Sequence, residues 1–270
     1  VWARHLQASP PVGSGNLRAI AILDHMPKIL KGAPGSTPTA DPATYGFPGD
    51  PNTAAGRRSV MEDMYTLFGE PLEEALSSSL ATIDAIESLD WEGYQPAPGV
   101  TYPGSPLGTA LVRAAQIAKE LPEVEVVHTD RGGWDTHDDE GVFDGEMAEN
   151  MSDLALSLEA FLRDMEDHSR KVVVVVVTEF GRTLDENSSL GTDHGRGGVA
   201  IVAGDHANGG QVLTDWPGLA AGQTDGGDLA VSIDVRDLQA EVLVDRLCTA
   251  DLAQVFTDAN YTYVERGVTS

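Results

Sequence analysis

Eight side chains between residues 135 and 196 have the types and spacing for chemistry on an anionic substrate. Asp135, Thr136, His137 and Asp138 follow the glycine pair Gly132-Gly133, so two carboxylates and an imidazole share one turn. Asp193, His194 and Arg196 repeat the combination around Gly195, and Glu179 and Arg182 lie between the two groups, next to Gly181. Carboxylate oxygen and imidazole nitrogen are ligands for zinc, manganese or iron, whereas calcium and magnesium favour oxygen alone. An arginine beside such a set matches two oxygens of a phosphate or sulfate at once. The expected metal ligands are Asp135, His137, Glu179, Asp193 and His194, and the expected catalytic groups are Glu179, Arg182 and Arg196. The competing reading is a structural one, in which Arg182 and Arg196 pair with Glu179 and Asp193 as a salt-bridge network. A further alternative is calcium held by the many aspartates, among them Asp138, Asp139 and Asp144.

These residues need a scaffold, and the run Val172–Val177 points to one. Six valines in succession leave no polar face for solvent, which predicts a strand buried on both sides within a parallel sheet. Thr178 to Arg182 then fall at its carboxyl end, where open α/β sheets place their ligands. On that premise Glu179 must be paired, metal-bound or protonated. Val124–Asp130 predicts a second strand, with the 131–138 loop at its carboxyl end. Between the two strands, Met147, Met151, Leu154, Leu158, Phe161, Leu162 and Met165 recur at helical spacing, which predicts one amphipathic helix over 144–167. Strand, helix and strand would then form a right-handed βαβ unit.

Elsewhere the pattern predicts helices over 2–8, 57–68, 72–89, 107–121 and 235–247, and strands over 17–23, 199–203 and 228–233, with another strand inside 209–217. In the 72–89 helix the inward face is Leu72, Ala75, Leu76, Leu80, Ile83 and Ile86, and in the 235–247 helix it is Leu238, Val242 and Leu243. His128 points along a strand interior and is expected to be a core histidine. Residues 31–56 and 92–106 are rich in Gly, Pro and polar residues and predict long loops. The reading is a single α/β domain over 1–270 with a mostly parallel central sheet flanked by helices.

Composition excludes several classes. With 17 Lys and Arg against 43 Asp and Glu, the net charge is −26, which sets the protein against a phosphate backbone, so no nucleic-acid partner is expected. The single cysteine, Cys248, excludes an intrachain disulfide and a thiolate zinc cluster, and its apolar setting predicts a buried thiol. No apolar run approaches the ~20 residues of a transmembrane helix. Neither a Gly-rich phosphate loop nor a nucleophile elbow of the G-x-S-x-G type occurs.

Four ordered segments carry a family resemblance: GGWDTHDDE, TEFGRTLDENSSLGTDHGRGGVAIVAG, GGQVLTDWPGL and DVRDLQAEVL, with WARHLQ near the start. Together they resemble the uncharacterised bacterial "domain of unknown function 1501" family, which is related to the alkaline phosphatase and sulfatase superfamily. The resemblance implies an alkaline phosphatase-like fold, one or two divalent metals (zinc, manganese or calcium) in strand-end loops, and hydrolysis of small anionic phosphate or sulfate esters. It also implies twin-arginine export and a periplasmic or extracellular location. Asp135, His137, Glu179 and His194 match the superfamily's ligand positions, although Phe180 stands where a second histidine is expected. Family members carry a further N-terminal portion ahead of the WARHLQ segment, so a missing portion or partner chain is expected to complete the site. The alternative is a non-catalytic secreted or surface scaffold that keeps the fold and uses the acidic cluster structurally.

Overall fold

The computed structural model describes residues 1–141 and 143–270. They form a mixed α/β protein of two compact units, residues 1–100 with 109–130, and residues 101–108 with 131–270.

The first unit is built on three short parallel strands. Helix α1 (Trp2–Ala8) leads to β1 (Ala19–Ala21), and β2 (Ser36–Pro38) follows within the predicted 31–56 loop. Two 3-10 turns, Pro42–Thr44 and Pro51–Thr53, occupy more of that stretch. Each starts after an aspartate, Asp41 or Asp50, whose carboxylate accepts a backbone N–H two residues on, so Asp-Pro chemistry gives the excursion local order. Helices α2 (Ala54–Phe68), α3 (Leu72–Glu87) and α4 (Pro106–Glu120) then precede β3 (Val126–His128). The sheet order is β2-β1-β3, all parallel.

Every residue of β1 is fully buried, as expected of a central parallel strand. Where β1 and β3 begin, Arg18 forms a buried bidentate pair with Glu125, at 2.5 and 3.0 Å. The Arg18 guanidinium also reaches the carbonyls of Leu6 and Ser9, which fixes α1 to the sheet. On α3, Leu76, Leu80 and Ile86 face inward as predicted, while Leu72 is exposed. Helix α2 buries none of its side chains.

The second unit contains α5 (Glu146–Met165), β4 (Val173–Val176), β5 (Gly181–Arg182), β6 (His194–Gly195), β7 (Ile201–Gly204), α6 (Val235–Leu247) and α7 (Leu252–Val255). The polyvaline strand differs from expectation. β4 pairs antiparallel with β7, from Val173↔Gly204 to Val176↔Ile201, and all four residues are half-buried. The βαβ unit from Val124 to Val177 is therefore not formed, because β3 pairs with β1 and β4 with β7. Valine's branched side chain selects a strand, but the strand's direction is set by its partner. Here residues 177–200 turn back through the β5–β6 hairpin and deliver β7 antiparallel.

Helix α5 matches its predicted span within two residues, and Phe161 and Met165 are buried, but Met151 is exposed. Helix α6 spans 235–247 as read, started by the Asp234 carboxylate accepting from the N–H of Arg236. Among the described residues, 209–217 and 228–233 hold no strand; Asp228 makes only isolated bridges to Thr183 and Asp225. Cys248 ends α6 in the left-handed region and is exposed, contrary to the buried thiol predicted. No helix among the described residues is long and apolar enough to cross a membrane.

Candidate functional site

All of the site lies in the second unit, where the 131–140 loop meets the β5–β6 hairpin. Helix α5 anchors the loop's entry: buried Asn150 donates to the carbonyl of Gly133 at 2.5 Å and accepts from Arg131 at 2.6 Å. The loop's exit is stitched to the hairpin. Asp139 N–H donates to the Ser189 carbonyl at 2.9 Å, and Glu140 N–H to that of Leu190 at 3.0 Å. Asn187 Nδ2 reaches the carbonyl of His137 at 2.9 Å. Gly191 permits this approach, since a Cβ there would collide with the His137 carbonyl.

In the hairpin Arg182 pairs with His194 across β5 and β6. Thr183 N–H donates to the Asp193 carbonyl at 2.9 Å, and the Thr183 hydroxyl accepts from Asp193 N–H at 3.0 Å. Short strands thus hold Arg182, Asp193 and His194 in register.

The side chains converge on one oxygen. Asp135 Oδ1 lies 2.8 Å from His137 Nε2, 2.7 Å from His194 Nε2 and 3.0 Å from Arg182 Nη1. Asp135, His137 and His194 each bring a ligand atom to within 4.8 Å of the others. On its far side His137 Nδ1 meets Asp193 Oδ1 at 2.9 Å. Both nitrogens of His137 therefore face carboxylates. A neutral ring has one hydrogen and satisfies one of them, whereas a ring protonated on both nitrogens donates to both. A cation between His137 Nε2 and Asp135 would serve a neutral ring in the same way, with Asp193 orienting it from behind.

The electrostatics follow the contacts. Asp135 is held below the ordinary carboxylate value by the His194 hydrogen bond first and by Arg182 after it. Asp193 is held down by the His137 hydrogen bond and then by Asn187. Asp135, His137 and His194 are about half exposed, with side-chain exposures of 54, 45 and 52%. Between the first two, Thr136 is buried and its hydroxyl has no hydrogen-bond partner.

Arg182 binds the protein itself. Its Nε donates to the Thr192 hydroxyl at 2.7 Å, Nη1 to Asp135, and Nη2 to the carbonyls of Thr136 and Thr192. Four of the five guanidinium hydrogens are engaged. Arg196 pairs with Asp225 at 2.9 Å and is exposed. Glu179 is also exposed, as the half-buried strand before it allows, and it stands outside the three-ligand group. Neither arginine forms the ion pair with Glu179 or Asp193 that the structural reading expected; Arg182 pairs with Asp135 instead.

Sequence reasoning placed Phe180 where a second histidine is expected but missed what its ring does. Its ring lies flat on His194, with centroids 4.1 Å apart and planes at 9°. His194 also stacks with His137, at 5.2 Å and 25°. Thr192, Asn187 and Glu140 were missed too; Glu140 accepts from the Thr192 hydroxyl at 2.8 Å. The signal for Phe180 was its place in the Glu-Phe-Gly-Arg run, where the resemblance puts a histidine.

Fold and site together define a mixed α/β protein with an exposed carboxylate–imidazole cluster between a glycine-bearing loop and a hairpin. Residues 89–264, more than half of the chain, match the family described as "Protein of unknown function (DUF1501)", and the chain belongs to that family. No curated protein and no solved structure matches it.

Proposed function

We propose that this chain is a metal-dependent hydrolase of phosphate or sulfate esters that works outside the cytoplasm. One observation carries the reading: Asp135, His137 and His194 each place a ligand atom within 4.8 Å of the other two. Two imidazole nitrogens and one carboxylate oxygen fit zinc or manganese better than calcium, whose sites are built from oxygen. A divalent ion there would supply Lewis acidity and a bound water that loses its proton near neutral pH.

The residues around it have separate tasks. Asp193 accepts from His137 Nδ1, which leaves Nε2 to face the ion. Arg182 fixes Asp135 and ties its loop to residue 192. Phe180 holds the plane of His194. Glu179 and Arg196 stand outside this inner group.

Metal analysis after dialysis against Zn²⁺ or Mn²⁺, followed by a phosphatase and sulfatase substrate panel with and without chelator, tests the proposal. One transition metal per chain and chelator-sensitive turnover, both lost in His194→Ala, are expected. A protein that takes up no metal defeats it.

A scaffold role is the second reading. It is favoured by the self-sufficiency of the cluster, in which Asp135 already pairs with both histidines and Arg182. On that reading Asp135→Ala and His194→Ala lower the melting temperature and there is no turnover to lose.

A further inference from the structure

The charges around Asp135 restrict which esters the site can hold. Asp135 and Asp193 bring two negative charges and Arg182 one positive, all joined through hydrogen bonds. With neutral imidazoles and a divalent ion added, the inner group carries a single positive charge. One monoanion cancels it; a dianion leaves one negative charge over.

Little nearby can absorb that excess. Arg182 has one free guanidinium hydrogen, too few for the two-pronged grip that suits a terminal phosphoryl group. Arg196 is neutralised by Asp225 at 2.9 Å. Lys171, the one lysine of this unit, pairs with Asp205 at 3.3 Å. Meanwhile the segments that carry the site also carry exposed carboxylates: Asp138 and Asp139 directly after His137, and Asp185 and Glu186 directly before Asn187. Like charges on the segments that carry the site oppose a second negative charge on the ligand.

Resting on the hydrolase reading above, we infer that the site selects monoanionic esters, sulfate monoesters or phosphodiesters, over dianionic phosphate monoesters. Both favoured classes present a tetrahedral centre with one negative charge, and the two are separated by experiment.

The probes are methyl sulfate, dimethyl phosphate and methyl phosphate, titrated calorimetrically into the Zn²⁺-loaded protein at pH 8, where the last is a dianion. At least one of the two monoanions should bind tenfold or more tightly than methyl phosphate. Its identity distinguishes a sulfate ester site from a phosphodiester site. Replacing the outer carboxylates together (Asp138→Asn, Asp139→Asn, Asp185→Asn and Glu186→Gln) should reduce the preference at least threefold. Methyl phosphate binding as tightly as both monoanions, or no binding of any of the three, overturns the inference. The hydrolase reading fails separately: if aryl sulfates, diaryl phosphates and aryl phosphates all go unhydrolysed, it falls, while the order of binding of the inert anions still decides the charge selection.

Discussion

His137 is the residue on which the cluster turns, because its two nitrogens meet two different carboxylates. Asp193→Asn keeps the shape of the partner but takes away its charge and frees the ring to rotate. On the hydrolase reading metal affinity should fall about 10–100-fold, the usual consequence of losing the group that orients a ligating histidine. On the same reading His194→Ala removes a proposed ligand and should abolish stoichiometric binding; atomic absorption after gel filtration separates the two outcomes. Phe180→Leu removes the surface on which the His194 ring lies flat. It should weaken metal binding while leaving the melting temperature within a few degrees, and Phe180→Tyr should restore it. Retention of full affinity by Phe180→Leu would mean that the hairpin backbone alone positions His194. The contrast between these residues explains what could be read beforehand. Asp135, His137 and His194 could be picked out because their chemistry and glycine neighbours are local in sequence, whereas Asp193, expected beside them as a ligand, sits behind His137 on its Nδ1 side. The stacking of Phe180 could not be, since it is a relation through space, and the burial expected of Glu179 rested on a strand that is itself only half-buried.

Helix α6 makes the same point among the elements. Its ends follow from the Asp234 cap and from the apolar spacing, yet its inward face is not apolar alone. Asp237, Glu241 and Asp245, four residues apart, line the side that faces residues 261–269, an extended C-terminal strap. Asp237 accepts from Tyr261 Oη at 3.1 Å and Arg266 Nε at 2.9 Å. Glu241 accepts backbone N–H groups from Arg266, Gly267 and Thr269, at 2.7, 3.0 and 2.8 Å. A pattern search at period 3.6 looks for apolar residues and passes over carboxylates that satisfy an extended backbone. Glu241→Ala leaves those three N–H groups without their acceptor, at a cost of roughly 1–3 kcal/mol each where they stay buried. A loss of about 3–5 kcal/mol is expected, allowing for partial access of water. Urea unfolding followed by circular dichroism measures it, and a loss under ~1 kcal/mol would show that the strap is not held by this helix. The helix end offers the opposite test. Cys248 sits at φ 51°, a left-handed position that costs a residue with a Cβ about 1 kcal/mol and glycine little. Cys248→Gly should raise stability by ~0.5–1 kcal/mol in the same assay.

A net charge of −26 makes self-repulsion a term in the stability of the whole molecule, one that salt screens. Melting temperature should therefore rise between low ionic strength and about 1 M NaCl, where the Debye length is ~3 Å. With repulsion screened, pH acts through individual groups. The His5 imidazole is pushed below its ordinary value by burial first, with Glu125 opposing. Burial likewise leads for His128, with Asp130 opposing. In the unfolded chain both take up a proton near pH 6.5, and in the folded protein they resist it. The unfolded state then binds more protons, so stability falls as pH drops through that value. Asp84, Asp135, Asp193 and Asp234 are all depressed by hydrogen bonds from their cationic or imidazole partners. Their contribution is present above the unfolded value of 3.8 and is lost as pH falls below it toward their folded values. In 1 M NaCl the urea midpoint should thus decline in two stages, one beginning near pH 6.5 and one below about pH 4. His5→Gln should flatten the first stage and leave the second. A midpoint that climbs between pH 7.5 and 5.5 in high salt would mean that the imidazoles gain protons on folding, against the burial seen at His5.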